Sequence, residues 1–270
     1  MPNDMLALQR QDEIVRLIST KGSVTVAELS HLFNVTGATI RRDLRDLERR
    51  NLIRRAHGGA VAAIASHLDP SFQERAVAQR EEKDAIGKFC ADLIRDGETI
   101  ILDSGTTTLS IAKHLQGRKG LTIITNSISI VNLLLNEKDI TVISTGGVAR
   151  SEGYSLVGYV AERAISLFRP DKAFVSVGAI DAEGNMSIGN LASVPVKQAM
   201  IRVGKEVIVP ADSSKLGRAS IALIENLSRA SRLVTDEHAD PDLVKSFQGK
   251  GVEIICVPLP NRENAKMSSS

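Results

Sequence analysis

Thr36-Gly-Ala-Thr-Ile-Arg-Arg-Asp-Leu-Arg-Asp-Leu-Glu48, followed after two further arginines by Asn51-Leu-Ile-Arg-Arg-Ala-His-Gly-Gly-Ala60, is the stretch on which the reading of this chain turns. At about 100° per residue, Ile40, Leu44 and Leu47 fall on one stripe of a helix, while Ala38, Arg41, Arg42, Arg45 and Arg49 gather on the opposite side. One face is made to pack and the other is cationic. Thr36 stands where an N-cap belongs, and Thr36, Gly37, Ala38 and Thr39 keep the leading end small. A charge run is usually no more than a solvated helix face. What lies on either side of this one argues for more.

Upstream, Arg10, Ile14, Leu17 and Ile18 carry helical spacing that stops at Lys21-Gly22, where a glycine ends the turn. Thr25-Val-Ala-Glu28 has the form of a capping box and opens a short second helix bearing Leu29, Leu32 and Phe33. Two short helices joined by a tight turn make a helix-turn-helix candidate, with the arginine-faced helix as its third element. Downstream, two short extended runs broken at Gly58-Gly59 read as a β-hairpin wing. Such a helix can slide its small end into the major groove of duplex DNA, with hydroxyls and N–H groups at phosphates and arginines on guanine edges. The expected DNA contacts are therefore Thr36, Gly37, Ala38, Thr39, Arg41, Arg42 and Arg45, with Arg54, Arg55 and His57 on the wing meeting backbone or minor groove. Asp43 is expected to orient a neighbouring arginine. His57 suits a surface turn as well, and a winged helix that docks proteins without DNA is the alternative for the unit as a whole.

Charge supports the DNA reading. Residues 1–61 hold 10 Lys and Arg against 7 Asp and Glu, whereas the whole 270-residue chain balances 34 against 32, so the basic excess is local. Forty-three per cent apolar and 24% charged residues describe a globular protein with a core of its own, neither disordered nor membrane-spanning. Aromatic residues are 3% with no Trp, too few for stacking platforms on single-stranded nucleic acid. Cys90 and Cys256 lack metal or redox spacing and read as two buried thiols of a reducing compartment. The Met-Pro-Asn-Asp-Met start lacks a basic region and an apolar segment, so the expected location is the cytoplasm. His31, His57, His67, His114 and His238 are scattered without partners at ligand spacing, and no G-x-G-x-x-G follows the first strand of the large domain; neither a metal nor another cofactor is expected.

The domain layout read from the sequence is a DNA-binding unit over 1–61, a connector over 62–80 that loses periodicity, a large domain over 81–260 and a frayed tail over 261–270. From Glu81 onward, apolar runs beginning at Thr99, Leu121, Ile140, Ala173, Val207, Arg232 and Val252 alternate with helical stretches, which argues for an α/β domain with a mainly parallel sheet. Small polar or glycine-rich segments follow five strands: Asp103-Ser-Gly-Thr-Thr-Thr108, Thr125-Asn-Ser127, Thr145-Gly-Gly147, Gly178-Ala-Ile-Asp181 and Ala211-Asp-Ser-Ser-Lys215. The carboxyl ends of parallel strands point one way, so these five are expected to converge on one ligand crevice. Its candidate residues are Asp103, Ser104, Gly105, Thr106, Thr107, Thr125, Asn126, Ser127, Gly146, Gly147, Gly178, Asp181, Lys197, Asp212 and Lys215. The Ser104 to Thr108 turn has the N–H groups and hydroxyls to hold a phosphate at a helix start, although any strand-to-helix turn favours these residue types.

The recognition-helix string joined to its wing string closely resembles the winged helix-turn-helix of the DeoR family of bacterial transcriptional regulators. The segments Asp-Ser-Gly-Thr-Thr, Thr-Asn-Ser, Thr-Gly-Gly, Asp171 to Gly184 and Asp-Ser-Ser-Lys-Leu-Gly217 resemble that family's effector domain, so the likeness covers nearly the whole chain. The resemblance implies operator binding through Thr36, Thr39, Arg41 and Arg42. It also implies a Rossmann-like effector domain related to sugar-phosphate isomerases of the ribose-5-phosphate isomerase type, and a phosphorylated sugar as effector. Many members carry Glu immediately before the Val-Lys that here is Val196-Lys197, where this chain has Pro195. The expected function is a carbohydrate-operon repressor acting as a homodimer or homotetramer. The rival is a sugar-phosphate isomerase with a DNA-binding appendage, using Asp103, Asp181, Glu183 and Asp212 for proton transfer and Lys215 to stabilise an enediolate.

Overall fold

A computed structural model of the chain describes residues 7–21, 23–49, 53–56, 58–62 and 72–260. The chain divides into two units, residues 1–66 and 67–270.

The first unit runs α1 (Ala7–Lys21), β1 (Ser23–Thr25), α2 (Val26–Phe33), α3 (Gly37–Arg49), β2 (Ile53–Ala56) and β3 (Gly59–Ala62). Thr25 and Glu28 satisfy each other's backbone donors at the start of α2, which ends on left-handed Asn34. The hydroxyl of Thr36 accepts from the N–H of Thr39 and so starts α3. The apolar stripe of α3 is buried with Ile14, Ile18, Val24, Leu29, Ile53 and Ala60 in one core. The wing has a strand more than the sequence reading gave it: β1 pairs antiparallel with β3, for a sheet order of β1-β3-β2. Three residues between two helices are too few to show an alternating pattern. The tight pairing requires glycine at position 59, where a Cβ would lie 2.1 Å from the carbonyl oxygen of Val24.

Asp43 does orient an arginine, but one distant in sequence rather than a neighbour. Its carboxylate accepts from Arg10 Nε at 2.7 Å and Gln11 Nε2 at 3.2 Å, both on α1, and the group is buried. A charge inside a core is tolerated when it is paired and hydrogen-bonded. Here it pins α1 to α3.

The second unit contains α4 (Phe72–Val77), α5 (Arg80–Asp92), β4 (Thr99–Leu102), α6 (Thr106–Lys113), β5 (Leu121–Thr125), α7 (Ile128–Leu134), β6 (Ile140–Ser144), β7 (Val148–Arg150), β8 (Ser155–Val157) and α8 (Tyr159–Ser166). It continues through β9 (Lys172–Phe174), β10 (Ala179–Ile180), β11 (Asn185–Ile188), α9 (Val194–Val203), β12 (Glu206–Pro210), β13 (Ala222–Asn226), β14 (Arg232–Asp236), α10 (Pro241–Gln248) and β15 (Glu253–Val257). Seven strands pair in parallel in the order β15-β14-β12-β9-β4-β5-β6. Ile100 and Leu102 of β4 pack with residues of α5, α6 and α7, while Ile101 joins those of α8, α9 and α10. Helices therefore cover both faces, which is why the strands read as unbroken apolar runs.

The chain begins the sheet in the middle at β4, fills one side with β5 and β6, then returns to lay β9 on the other side of β4. This reversal is the topological switch point, where open α/β sheets leave a crevice outside the strand ends. Two small additions escaped the sequence reading: the antiparallel hairpin of β7 and β8, and a three-stranded sheet ordered β10-β11-β13. Helix α4 falls within the stretch read as a connector and packs Phe72 edge-on against Tyr154, with ring centroids 5.2 Å apart. Of the two thiols expected to be buried, Cys90 is and Cys256 is exposed, because β15 is an edge strand. No helix among the described residues is long and apolar enough to cross a membrane.

Candidate functional site

On the first unit, the side of α3 opposite the core is open. Thr36, Ala38, Arg41, Arg42, Arg45 and Arg49 are exposed, and Gly37 and Thr39 are partly so. The acids of the helix are engaged elsewhere: Asp43 in the core, Asp46 with Arg49, and Glu48 with Arg55 of the wing, whose Nε lies 2.9 Å away. Glu48 also accepts the backbone N–H of Arg55 at 3.1 Å, tying the wing to α3. None of Arg41, Arg42 and Arg45 pairs with an acid among the described residues, so their charge faces outward uncompensated. Arg54 lies on β2, and His57 falls outside the described residues.

On the second unit, a cavity of about 650 Å³ opens at the switch point. Ser104, Gly105, Thr106 and Thr107 line it after β4, Ser176, Val177 and Gly178 after β9, and Asp212, Ser214 and Lys215 after β12. Of the candidate residues, the cavity brings together Ser104, Gly105, Thr106, Thr107, Gly178, Lys197, Asp212 and Lys215. The first turn of α6, with N–H groups that no helix can satisfy internally, forms one wall. Gly105 packs closely there: a Cβ would sit 3.0 Å from both Cβ and Oγ of Ser176, so a larger residue would push that side chain aside.

The turns after β5 and β6 do not line the cavity, because both strands lie on the far side of β4 from the switch point. Their residues shape it from behind. Asn126 Oδ1 accepts the N–H of Ser104 at 2.8 Å, and its amide nitrogen donates to the carbonyl of Leu156 at 3.3 Å. Thr125 donates to the carbonyl of Leu102 and accepts from the N–H of Ser127, which caps α7. Gly146 and Gly147 take left-handed conformations in a turn, and a Cβ on Gly147 would fall 2.5 Å from the carbonyl oxygen of Val157. Asp181 closes the β10–β11 hairpin by accepting from the backbone and side-chain nitrogens of Asn185 at 2.8 and 2.9 Å.

Asp103 and Lys197 form a buried strut rather than a pair of free functional groups. Asp103 accepts from the N–H groups of Ser104 and Ser176 at 2.7 and 2.9 Å, from the hydroxyl of Ser176 at 2.9 Å and of Ser104 at 3.4 Å, and from the Lys197 ammonium. That ammonium also donates to the carbonyl of Ser176 at 2.8 Å and lies 2.9 Å from its hydroxyl, so three acceptors surround it. The strut fixes the turn after β4 against the β9 end.

Two cations are better placed for a ligand. Lys215 donates to the carbonyl of Val177 at 2.8 Å, and burial pushes its ammonium down to about 8; nearby Asp212 opposes this, and Lys83, Arg75 and Lys197 reinforce it. Lys83 is buried, lines the same cavity, and is likewise pushed down, first by burial. Its ammonium donates to the carbonyls of Arg75 and Ala78 at 2.5 and 2.6 Å, capping the end of α4. Lys83 was absent from the sequence candidates because Arg80-Glu-Glu-Lys-Asp84 looks like a solvated run. The available signal was its phase: Lys83 shares the buried stripe of α5 with Ile86, Gly87 and Cys90. Arg75, Arg150 and Glu152, which also line the cavity, come from α4 and the β7–β8 hairpin, elements invisible in the sequence pattern.

Comparison with known proteins converges on one family. Residues 10–65 match the family model for the DeoR-like helix-turn-helix domain, and residues 78–237 match that for the DeoR C terminal sensor domain. An uncharacterized HTH-type transcriptional regulator of Bacillus subtilis (strain 168), YulB, is 39% identical over 96% of this chain and 100% of its own length. The glycerol-3-phosphate regulon repressor of Escherichia coli (strain K12) is 34% identical over 86% of this chain and 92% of its own. Among solved structures, ribose 5-phosphate isomerase A from Methanocaldococcus jannaschii aligns over 50% of this chain and 53% of its own at 18% identity, with a TM-score of 0.37. A likeness of that size says nothing about what this chain binds.

Proposed function

The chain belongs to the DeoR family of transcriptional regulators, and we propose that it represses a carbohydrate operon until a phosphorylated sugar occupies the switch-point cavity. The observation that carries the DNA half is the open arginine face of α3 backed by a single core. Arg41, Arg42 and Arg45 are placed to contact base edges and phosphates, with Thr36 and Thr39 at the entering end. Arg55 joins them through the wing, and a palindromic operator calls for at least two copies, a homodimer or homotetramer, in the cytoplasm.

In the effector half, the phosphate group lies between the first turn of α6 and the ammonium groups of Lys83 and Lys215. Those three features supply N–H donors, hydroxyls and positive charge on one cavity wall. Ligand binding then has a route to the DNA. A phosphate that recruits Lys83 competes with the two carbonyls it caps, freeing the end of α4, and the chain leads from α4 back to the unit that ends at Ser66. An effector can shift operator affinity only by this kind of differential contact.

The isomerase alternative is not favoured. Two of the carboxylates it needs are spent on structure: Asp103 on Ser104, Ser176 and Lys197, and Asp181 on Asn185. Fluorescence anisotropy of duplex operator fragments, titrated with the full chain and then with phosphorylated sugars, tests the proposal. Specific, salt-dependent binding that a phosphorylated sugar reverses is expected; turnover of pentose or hexose phosphates by the purified protein would overturn it.

A further inference from the structure

Helix α4 has six residues and buries one of them, Phe72. A helix so short does not persist on its own, so what docks it decides whether it forms. The Phe72 ring meets the Tyr154 ring edge-on, with centroids 5.2 Å apart and an interplanar angle of 68°. One turn farther along, Arg75 Nη2 donates to the carbonyl of Glu152 at 3.3 Å. Glu152 and Tyr154 both stand in the turn between β7 and β8, which is thereby the dock for α4. A third hold is the Lys83 ammonium on the carbonyls of Arg75 and Ala78.

The dock is itself anchored, since the N–H of Ile128 donates to the carbonyl of Tyr154 at 2.9 Å and Ser127 bridges to Ser155. Among the described residues of the second unit, only Gln79 and Tyr154 take a left-handed backbone without being glycine, with φ of 50° and 46°. Gln79 stands between α4 and α5, and Tyr154 receives Phe72. A bulky residue is held in that region only at a cost, and such residues gather at switch segments. Both cations that secure α4 line the cavity, whereas neither ring does. An anion in the cavity competes for Arg75 and Lys83 and leaves the ring pair as the opposing hold. We propose that Phe72 and Tyr154 are positioning residues that set the balance of α4 between a docked state that binds operator and an undocked state that binds effector. The inference rests on the effector reading given above and names the element through which the effector acts. Two ligands that favour opposite states of one element are coupled reciprocally.

The test uses a side chain that does not line the cavity. Operator affinity of the full chain is read by anisotropy on a duplex that wild type selects from a random pool, and affinity for inorganic phosphate by calorimetry at constant ionic strength. An edge-on aromatic pair is worth about threefold to tenfold in an equilibrium constant. In Tyr154→Ala the ratio of phosphate affinity to operator affinity is therefore expected to rise by at least about threefold, because what one state loses the other gains. Damage to the fold would lower both affinities instead. Phe72→Ala shifts the ratio the same way, the double variant shifts it by less than the two combined, and Tyr154→Phe, which keeps the ring, matches wild type. An unchanged ratio in Tyr154→Ala, or the two affinities falling together, overturns the inference while leaving the effector site standing. Wild type that does not bind phosphate, or binds it without loss of operator affinity, removes the effector reading and the inference with it.

Discussion

Replacing Asp43 by Ala removes the carboxylate that joins α1 to α3, and the structure sets the scale of the effect. Arg10 and Asp43 have side chains only 10% and 6% exposed, with the guanidinium Nε 2.7 Å from the carboxylate, and Gln11 adds a second bond at 3.2 Å. Breaking a buried pair by deleting one partner costs about 3–5 kcal/mol. A unit ending at Ser66 has about 3–10 kcal/mol in total at about 0.05–0.15 kcal/mol per residue. The loss is therefore a third or more of what holds the DNA-binding unit together. For a unit of this size, about 1 kcal/mol moves the melting temperature by about 4–8 °C, so a drop of at least about 12 °C is expected. Calorimetric melting of the full chain checks this: the transition of the first unit moves down, that of the second stays where it was, and operator binding is lost between the two. Asp43→Asn, which keeps an acceptor, falls between wild type and Asp43→Ala. A shift below about 4 °C in Asp43→Ala would refute the claim that this pair organises the recognition helix.

Replacing Arg41 and Arg42 by Ala is expected to abolish specific operator binding and flatten the salt dependence by about two units of slope, measured by anisotropy at several salt concentrations, with effector-induced thermal stabilisation unchanged. The Lys215 ammonium, held at about 8 by burial, is protonated below that pH and loses its charge above it. Affinity for a sugar phosphate is therefore highest below pH 8 and falls by up to about tenfold per pH unit above it, and binding at pH 8 takes up protons, read by calorimetry in buffers of different ionisation enthalpy. Its folded-state pKa lies below the ordinary lysine value of 10.5, so the same group disfavours folding at neutral pH, and that penalty fades as pH rises from 8 toward 10.5. Lys197→Met strands Asp103 in the core and lowers the melting temperature of the second unit, whereas Lys83→Met spares the fold and weakens the effector's hold on operator affinity.

Much of this fold was legible in the sequence, for definite reasons. The recognition helix, its Thr36 cap and the seven central strands follow from local periodicity, and periodicity survives whatever packs outside it. Strand order does not show in a pattern of apolar residues. Five polar turns at strand ends were equivalent in the sequence; only the order β9-β4-β5 separates the turns after β4, β9 and β12 from those after β5 and β6, which stand behind the cavity. Long-range partners were hidden for the same reason. Arg10 lies 33 residues from Asp43 and Lys197 lies 94 from Asp103, and each pair met only once the chain was folded. Lys83 was concealed by its acidic neighbours, although its place on the stripe of Ile86 and Cys90 marked it as an inward-facing cation.

The central claim, that one chain grips duplex through α3 and lets go when phosphate reaches the switch-point cavity, comes down to one titration. Operator-bound full chain is followed by anisotropy while a phosphorylated sugar is added, for wild type and for Lys83→Met side by side. The account predicts release from wild type as effector is added and, for Lys83→Met, whose α4 carbonyls are uncapped from the start, weaker operator binding without effector and at least a tenfold smaller response to it. Identical release curves for the two proteins would contradict it.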